Sequence, residues 1–240
     1  MERDTAATEK VSHVANMDCM EFMKQFPDKF FDLAVVDPPY GIDVSKMGLG
    51  KGGGKYRGNQ RYSRGLSRWD IASPDVAYFN ELRRVSCNQI VWGANHFISK
   101  IAIDSSCWLV WDKRNGKTDF ADCEMAWTSF KKPARLFQFQ WSGYLQGNMK
   151  DKELRIHPTQ KPRALYAWIF ENFTRGGYKI LDTHLGSGSS RIAAWHAGLD
   201  FWGCELDKEY FDKANERFEK EIHGVEVIGQ QVIQQQSLFE

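Results

Sequence analysis

The chain has 240 residues, a length that suits one α/β domain or one domain with a small insertion. Its 32 basic and 31 acidic residues give a net charge of +1, which excludes a polycation, so any nucleic-acid contact must come from a local basic patch. Five cysteines without C-x-x-C spacing argue against a zinc site or a disulfide framework, and no apolar run approaches the roughly 18 residues that span a bilayer. We therefore expect a soluble protein of a reducing cytoplasm.

The first predicted strands lead to acidic residues. Residues 11–17 predict a short strand followed by Asp18, and residues 19–26 predict a short helix. Phe31–Val36 then predicts a buried strand that a rigid turn ends. That turn consists of Asp37, Pro38, Pro39 and Tyr40. Because ligands of open α/β sheets bind beyond the carboxyl ends of the strands, the turn predicts a reactive site.

The next segment, 43–70, changes character. Between Asp43 and Asp70 there is no acidic residue, and glycines are frequent. Such a run predicts either a solvated loop or a flexible basic arm that contacts DNA phosphates. Its start just past Tyr40 favours the arm. The side chains that we assign to DNA are Lys51, Lys55, Arg57, Arg61, Arg64 and Arg68.

Helices and strands alternate through the middle of the chain. Asp75 predicts the start of a helix, and four strand candidates follow, at 89–92, 107–111, 125–130 and 135–141. Segment 113–156 is the candidate target-recognition insert. The alternation predicts a doubly wound α/β fold, with a mostly parallel sheet covered by helices on both faces.

The second half opens with the hexapeptide at 157–162, His-Pro-Thr-Gln-Lys-Pro, in which Thr159 is the expected N-cap of a helix that ends at Gly176-Gly177. A strand over 178–181 leads into Asp182 and a glycine loop. After the loop we expect a helix, a strand over 201–204 ending at Glu205, and an amphipathic helix over 207–222.

The glycine loop predicts a cofactor site. Gly186, Ser187 and Gly188 would let the backbone approach a ligand at a helix N-terminus. Glu205, about 20 residues further on, could accept hydrogen bonds from ribose hydroxyls. Such a unit could hold NAD or S-adenosylmethionine. Arg191 stands where the dinucleotide fingerprint has its third glycine, which argues against NAD.

Together, the Asp-Pro-Pro-Tyr turn and the hexapeptide resemble motifs of the S-adenosylmethionine-dependent DNA amino-methyltransferases, which methylate adenine N6 or cytosine N4. The reactive turn comes early and the glycine loop late, which resembles the circularly permuted β-class. The resemblance implies a Rossmann-like sheet in a single domain over 11–240. It is weakest in 43–70 and 112–156. The family's loop is usually written D-P-F-x-G-S-G-T, and this chain departs from it with Thr183-His184 and Ser189.

The resemblance also implies roles for single residues. Asp37 and the Pro38 carbonyl would accept N–H groups of the target amine, and Tyr40 would stack on a base flipped out of the duplex. Asp18 would accept from the cofactor's adenine amine. Lys161 or Thr159 would reach the cofactor carboxylate. His157, Asp182 and the glycine loop would complete the cofactor site.

Asp at the first position of the turn favours adenine N6 as the target. Cytosine N4 stays open, and RNA methylation or a catalytically silent DNA-binding subunit are further alternatives. The family also implies a cytoplasmic, nucleoid-associated enzyme of a bacterium or phage, of the restriction-modification kind, with double-stranded DNA as partner. The recognition insert is short, so we expect a short recognised sequence or help from a second subunit in a homodimer.

The last residues, 225–240, form a Gln-rich tail without a core pattern, for which we expect a disordered end. Within it, Q-x-S-L-F resembles the short peptide that docks on the bacterial sliding clamp. Gln235, Leu238 and Phe239 would be its anchors.

Overall fold

An eight-stranded sheet organises the chain in the computed structural model, which describes residues 10–42, 72–116, 121–142, 145–228 and 231–234. The strands are β1 (Ser12–Asn16), β2 (Phe31–Val36), β3 (Ser86–Trp92), β4 (Leu109–Asp112), β5 (Cys123–Thr128), β6 (Arg135–Gln138), β7 (Trp141–Ser142), β8 (Leu145–Gln146), β9 (Lys179–Asp182), β10 (Asp200–Glu205), β11 (Val225–Ile228) and β12 (Gln231–Gln234). The helices are α1 (Cys19–Met23), α2 (Val76–Val85), α3 (Ile98–Ile101), α4 (Arg163–Phe173), α5 (Ser189–His196) and α6 (Lys208–His223).

The strand order of the large sheet is β1-β10-β9-β2-β3-β5-β4-β6. Strands β1, β10, β9, β2 and β3 run parallel to one another. Strand β5 is antiparallel to both β3 and β4, and β6 is parallel to β4. The mostly parallel sheet predicted from the sequence is therefore confirmed, with one antiparallel strand inserted beyond β3.

Strand β2 is buried on both faces, as its continuous apolar sequence predicts. Leu33 and Val35 belong to the core cluster that includes helix α4, while Phe31 and Val36 belong to the cluster that includes helices α1 and α2. Strand β2 pairs with β3 on one side and β9 on the other. The carboxyl ends of β1, β10, β9, β2 and β3 consequently meet along one edge, where the site lies.

Helix α4 begins later than the sequence predicts. Thr159 is not its N-cap, because the helix starts only after Pro162. Lys161, the residue before that proline, is biased towards extended backbone, which keeps the helix from starting earlier. The first free N–H of the helix, on Arg163, is instead capped by the side chain of Glu153 at 2.9 Å. The helix ends at Phe173, where Thr174 forms the C-cap, three residues ahead of the glycine pair.

The predicted tail is wrong over residues 225–234. Strands β11 and β12 pair antiparallel there, with Val227 opposite Val232. The physical reason is the β-branched residues on both sides of Gly229, which favour a hairpin. The three clamp-peptide residues Gln235, Leu238 and Phe239 lie outside the described residues. Among the helices in the described ranges, none is long and apolar enough to cross a bilayer.

Candidate active site

The turn after β2 brings Asp37 and Tyr40 together. The Tyr40 hydroxyl donates to Asp37 Oδ1 at 2.8 Å, and the tyrosine ring stacks on His96 with centroids 5.0 Å apart. Gly93 lies against the same ring with φ +69°, and a Cβ there would come 2.0 Å from Tyr40 Cε1. Only glycine fits that position. Tyr40 thus orients the Asp37 carboxylate. One face of its ring, which the sequence predicts to stack on a flipped base, packs against the His96 imidazole.

Lys161 completes a buried cluster at the same turn. Its Nζ donates to Asp37 Oδ2 at 2.5 Å and to the Tyr40 hydroxyl at 3.1 Å, and its side chain is only 3% exposed. The same ammonium lies 2.9 Å from Glu124 Oε2. An ammonium has three N–H donors, and here all three have partners. The alternative in which Lys161 binds a cofactor carboxylate therefore does not fit this arrangement.

Glu124 is a site residue that sequence reasoning missed. It lies in β5, where Lys113 Nζ reaches its Oε1 at 2.5 Å while Lys161 reaches its Oε2. The predicted strand began one residue later, at Met125, which left Glu124 outside. Glu124 alternates with Ala126 and Thr128, which the structure buries fully, but this burial is not readable from the local sequence.

The electrostatics of the cluster follow from burial and from two shared cations. Burial and the charge of Glu124 raise the pKa of Asp37, and Lys161 only partly offsets this. Burial also acts to raise the pKa of Glu124, but Lys161 and Lys113 outweigh it and lower that pKa to about 2. Burial acts to lower the pKa of Lys161, yet the two carboxylates raise it overall. Lys161 is a cation and Glu124 an anion near neutral pH.

A cavity opens beside Asp37 at the carboxyl ends of β1, β2, β9 and β10. The predicted residues that line it are Asp18, Asp37, Pro39, His157, Thr159, Lys161, Gly186, Ser187 and Glu205. Side chains that the sequence reading did not assign also line it, among them His184, Leu206 and Tyr210. The remaining predicted residues, Pro38, Tyr40, Asp182 and Gly188, do not line it. The reactive turn and the glycine loop therefore share one cavity.

Glu205 links that cavity to the glycine loop. Its Oε2 accepts from the Gly186 N–H at 2.9 Å, and its Oε1 accepts from the Asp207 N–H at 3.0 Å. Each carboxylate oxygen can accept a second hydrogen bond, so both keep a lone pair for a ligand. Burial raises the pKa of Glu205.

Asp182 holds the loop from behind. It is 2% exposed and accepts hydrogen bonds from the Ser190 hydroxyl at 2.5 Å and the His184 N–H at 3.0 Å. Burial raises the pKa of Asp182 to about 7. Gly188, with φ +72°, turns the chain into α5 against Ala214. Both residues shape the loop and do not line the cavity, and their contact with a cofactor stays a prediction.

Asp18 and His157 also line the cavity. Asp18 is the N-cap of α1, where its Oδ1 accepts from the Met20 and Glu21 N–H groups at 2.8 and 3.2 Å. The His157 ring packs edge-on against Tyr210 with centroids 4.3 Å apart. Burial lowers the pKa of His157 to about 4, so this imidazole is neutral at pH 7.

The model of the N6/N4 DNA methylase family matches residues 100–216. The type II methyltransferase M.HinfI of Haemophilus influenzae is 26% identical over 83% of the chain, and M.HpaI of Haemophilus parainfluenzae is 31% identical over 42%. The chain is therefore similar to the N6/N4 DNA methylases over residues 100–216. It spans 66% of the length of M.HinfI and 30% of that of M.HpaI.

Solved structures share the fold of this chain. The M1.HpyAVI–SAM complex superimposes with a TM-score of 0.56 at 20% identity, covering 85% of the chain and 98% of that protein. The PvuII DNA methyltransferase, which is cytosine-N4-specific, gives a TM-score of 0.55 at 12% identity and covers 86% of each chain. A similar fold therefore occurs with cytosine-N4 specificity.

The departures of this chain from the loop motif D-P-F-x-G-S-G-T are accommodated in the structure. The Thr183 hydroxyl lies 2.7 Å from the Tyr78 hydroxyl and 2.9 Å from His184 Nδ1. Burial lowers the pKa of His184 to about 4. Arg191, in the place of a third glycine, bonds Ser12 and Asn215 and so ties α5 to β1 and α6.

The basic arm lies outside the described residues. This holds for all six side chains assigned to DNA, namely Lys51, Lys55, Arg57, Arg61, Arg64 and Arg68. Among the residues that are described, no group of three or more His, Cys, Asp or Glu side chains could hold a metal ion.

Proposed function

We propose that the chain transfers a methyl group from S-adenosylmethionine to an exocyclic amine in DNA, and that the amine is N6 of an adenine flipped out of the duplex. The observation that carries this proposal is the meeting of Asp37 with the glycine loop and Glu205 around one cavity. Similarity to the N6/N4 DNA methylases over residues 100–216 supports the reaction class.

The donor set of the cavity fits S-adenosylmethionine. Among the carboxylates that line it, Asp18 and Glu205 can accept hydrogen bonds from the adenine amine and the ribose hydroxyls. The loop at Gly186 and Ser187 precedes the N-terminus of α5, which favours the carboxylate of the methionine end. Thr159 offers a further hydroxyl donor on the same side. When bound, S-adenosylmethionine supplies a methyl group on a cationic sulfur.

Asp37 would activate the target amine. Its Oδ1 takes one hydrogen bond from Tyr40 and its Oδ2 one from Lys161, so each oxygen keeps a lone pair for an amine N–H. The Pro38 carbonyl is the second expected acceptor. Accepting both N–H groups leaves the nitrogen lone pair free to form the N–C bond while the C–S bond breaks and its electron pair stays on sulfur.

Positive charge develops on the nitrogen during that step, and the Asp37 carboxylate stabilises it electrostatically. One amine proton then leaves to solvent, so Asp37 need not be a strong base. Holding both reactants at the carboxyl edge of the sheet supplies rate through positioning. Asp at the first position of the turn supports adenine as the target.

Methyl transfer is tested with tritium-labelled S-adenosylmethionine and the full chain, incubated with duplex DNA or with duplex RNA of the same sequence. We expect label in DNA and none in RNA. Label in RNA alone would replace the proposed substrate, and label in neither would contradict the proposed function.

DNA contact through the basic arm remains a proposal from sequence. Lys and Arg side chains that bind phosphates release counterions, so affinity falls steeply as salt rises. Replacing Arg57, Arg61 and Arg64 together by Gln should flatten the dependence of DNA affinity on salt concentration. An unchanged slope would remove the arm from the interface.

Two partners are also proposed from sequence alone, a second copy of the chain and the sliding clamp. Deleting residues 235–240 should abolish binding to purified clamp while methyl transfer persists. Unchanged clamp binding, or none by the full chain, would end the second proposal. Sedimentation of the full chain with and without DNA would reveal a homodimer.

A further inference from the structure

A row of alternating charges leads away from Asp37. Lys161 Nζ lies 2.5 Å from Asp37 Oδ2 and 2.9 Å from Glu124 Oε2. On the far side of Glu124, Lys113 Nζ lies 2.5 Å from Oε1. Two anions and two cations therefore alternate, and the row is neutral as a whole.

This arrangement is unusual for a site that must stabilise a cation. Lys161 is almost fully buried, and its ammonium also lies 5.6 Å from the Trp92 ring and 5.7 Å from the Tyr40 ring. Methyl transfer places positive charge on the amine beside the same carboxylate that Lys161 contacts. Paired with Asp37 alone, Lys161 would weaken the attraction of that carboxylate for the developing cation.

We propose that Glu124 is a positioning residue that acts through Lys161: it takes up part of the lysine's charge, so that Asp37 stays an effective anion towards the amine. Lys161 and Tyr40 then fix the orientation of the carboxylate without cancelling its charge. The role rests on the proposed methyl transfer. It gives a reason for a part-buried acid that does not itself line the cavity.

Substituting Glu124 and substituting Lys161 have opposite consequences for the pKa of Asp37. In Glu124→Gln, Lys161 has only Asp37 as a charged partner, so the pKa of Asp37 falls. In Lys161→Met, the two carboxylates face each other without the ammonium, so the pKa of Asp37 rises. The titratable groups that act on Asp37 or feel its charge are Tyr40, Lys161, Glu124, Tyr166 and Asp182.

The first test measures Asp37 itself, in the full chain without cofactor. Protein labelled with ¹³C at the Asp side-chain carboxyl is titrated by NMR, and the Asp37 signal is assigned by its loss in Asp37→Asn. We expect the titration midpoint to move down in Glu124→Gln and up in Lys161→Met. Glu171→Gln, at an exposed position of α4, is the matched control and should leave it in place.

The second test follows single-turnover methyl transfer against pH. Glu124→Gln should lower the rate roughly 10-fold to 100-fold, by analogy with the loss of one electrostatic group from an active site. The KM for DNA and the Kd for S-adenosylmethionine should not change. Glu124→Asp, which keeps the charge, should recover much of the rate. On the acid side of the pH–rate profile, the midpoint should shift in the same direction as the Asp37 titration midpoint measured by NMR.

The outcomes are distinguishable. Midpoints that move in the same direction, or do not move, would overturn the role of Glu124. If Lys161→Met fails to fold, the sign of the Glu124→Gln shift alone decides. If the unsubstituted chain transfers no methyl group, the proposed function fails, whereas the NMR titration still tests the charge arrangement.

Discussion

The contact of Glu205 with the glycine loop joins residues of one short segment, whereas the contacts of Asp37 join segments that are far apart in the sequence. The Gly186–Glu205 hydrogen bond joins residues 19 apart, within one strand–loop–helix–strand unit. The Asp37–Lys161 bond spans 124 residues, and Tyr40 lies 84 residues before Glu124. We propose that the first region binds the cofactor, while the second is an electrostatic assembly that exists only in the folded chain. Substitutions should therefore separate binding from catalysis.

The largest effect is expected at Asp37. Asp37→Asn keeps the shape but removes the charge that stabilises the amine cation, so the single-turnover rate should fall roughly 100-fold to 1000-fold. The Kd for S-adenosylmethionine should stay near that of the unsubstituted chain. An equal loss of cofactor affinity would show that the two regions do not act separately.

Glu205→Gln should have the converse effect. The loss of charge-assisted hydrogen bonds to ribose hydroxyls should weaken S-adenosylmethionine binding roughly 10-fold to 100-fold, measured by calorimetry. At saturating cofactor the transfer rate should recover. Glu209→Gln, on the exposed side of α6, removes the same charge away from the cavity and should leave the affinity unchanged. Weaker binding in the control as well would assign the effect to overall charge.

Gly93→Ala tests how firmly Tyr40 is held against Asp37. The new Cβ would overlap the Tyr40 ring at a position with φ +69°, so we expect a loss of about 2 kcal/mol in unfolding free energy and a slower transfer rate. Gly176→Ala, which meets no atom within 4 Å, should be neutral in the same denaturation experiment. Equal stability of the two variants would contradict the packing described here.

The smallest effect is a pH dependence in the loop region. The pKa of His184 is about 4 in the folded chain against an ordinary value of 6.5, so the unfolded chain binds its proton first. The stability contributed by the neutral imidazole is present above pH 6.5 and is lost as pH falls towards 4. His184→Gln should make the unfolding free energy less dependent on pH in that window. An unchanged pH dependence in His184→Gln would contradict this assignment.

The same contrast explains what the sequence could predict. Strand β2, the turn after it and the unit from β9 to Glu205 were readable, because apolar runs, prolines and glycines act on their own neighbourhood. The predicted N-cap at Thr159 was wrong, because the side chain that caps the helix belongs to Glu153, ten residues before Arg163. Glu124 was missed, and Lys161 was assigned to the cofactor, because a charge partner across the sheet leaves no mark in local sequence.

The central claim is that Asp37 serves methyl transfer to adenine in DNA. It is tested most directly by mass spectrometry of nucleosides from duplex DNA incubated with S-adenosylmethionine and either the unsubstituted chain or Asp37→Asn. We predict N6-methyladenine with the unsubstituted chain and almost none with the variant. N4-methylcytosine would contradict the choice of base, and no methylated base, or equal amounts from both proteins, would contradict the claim itself.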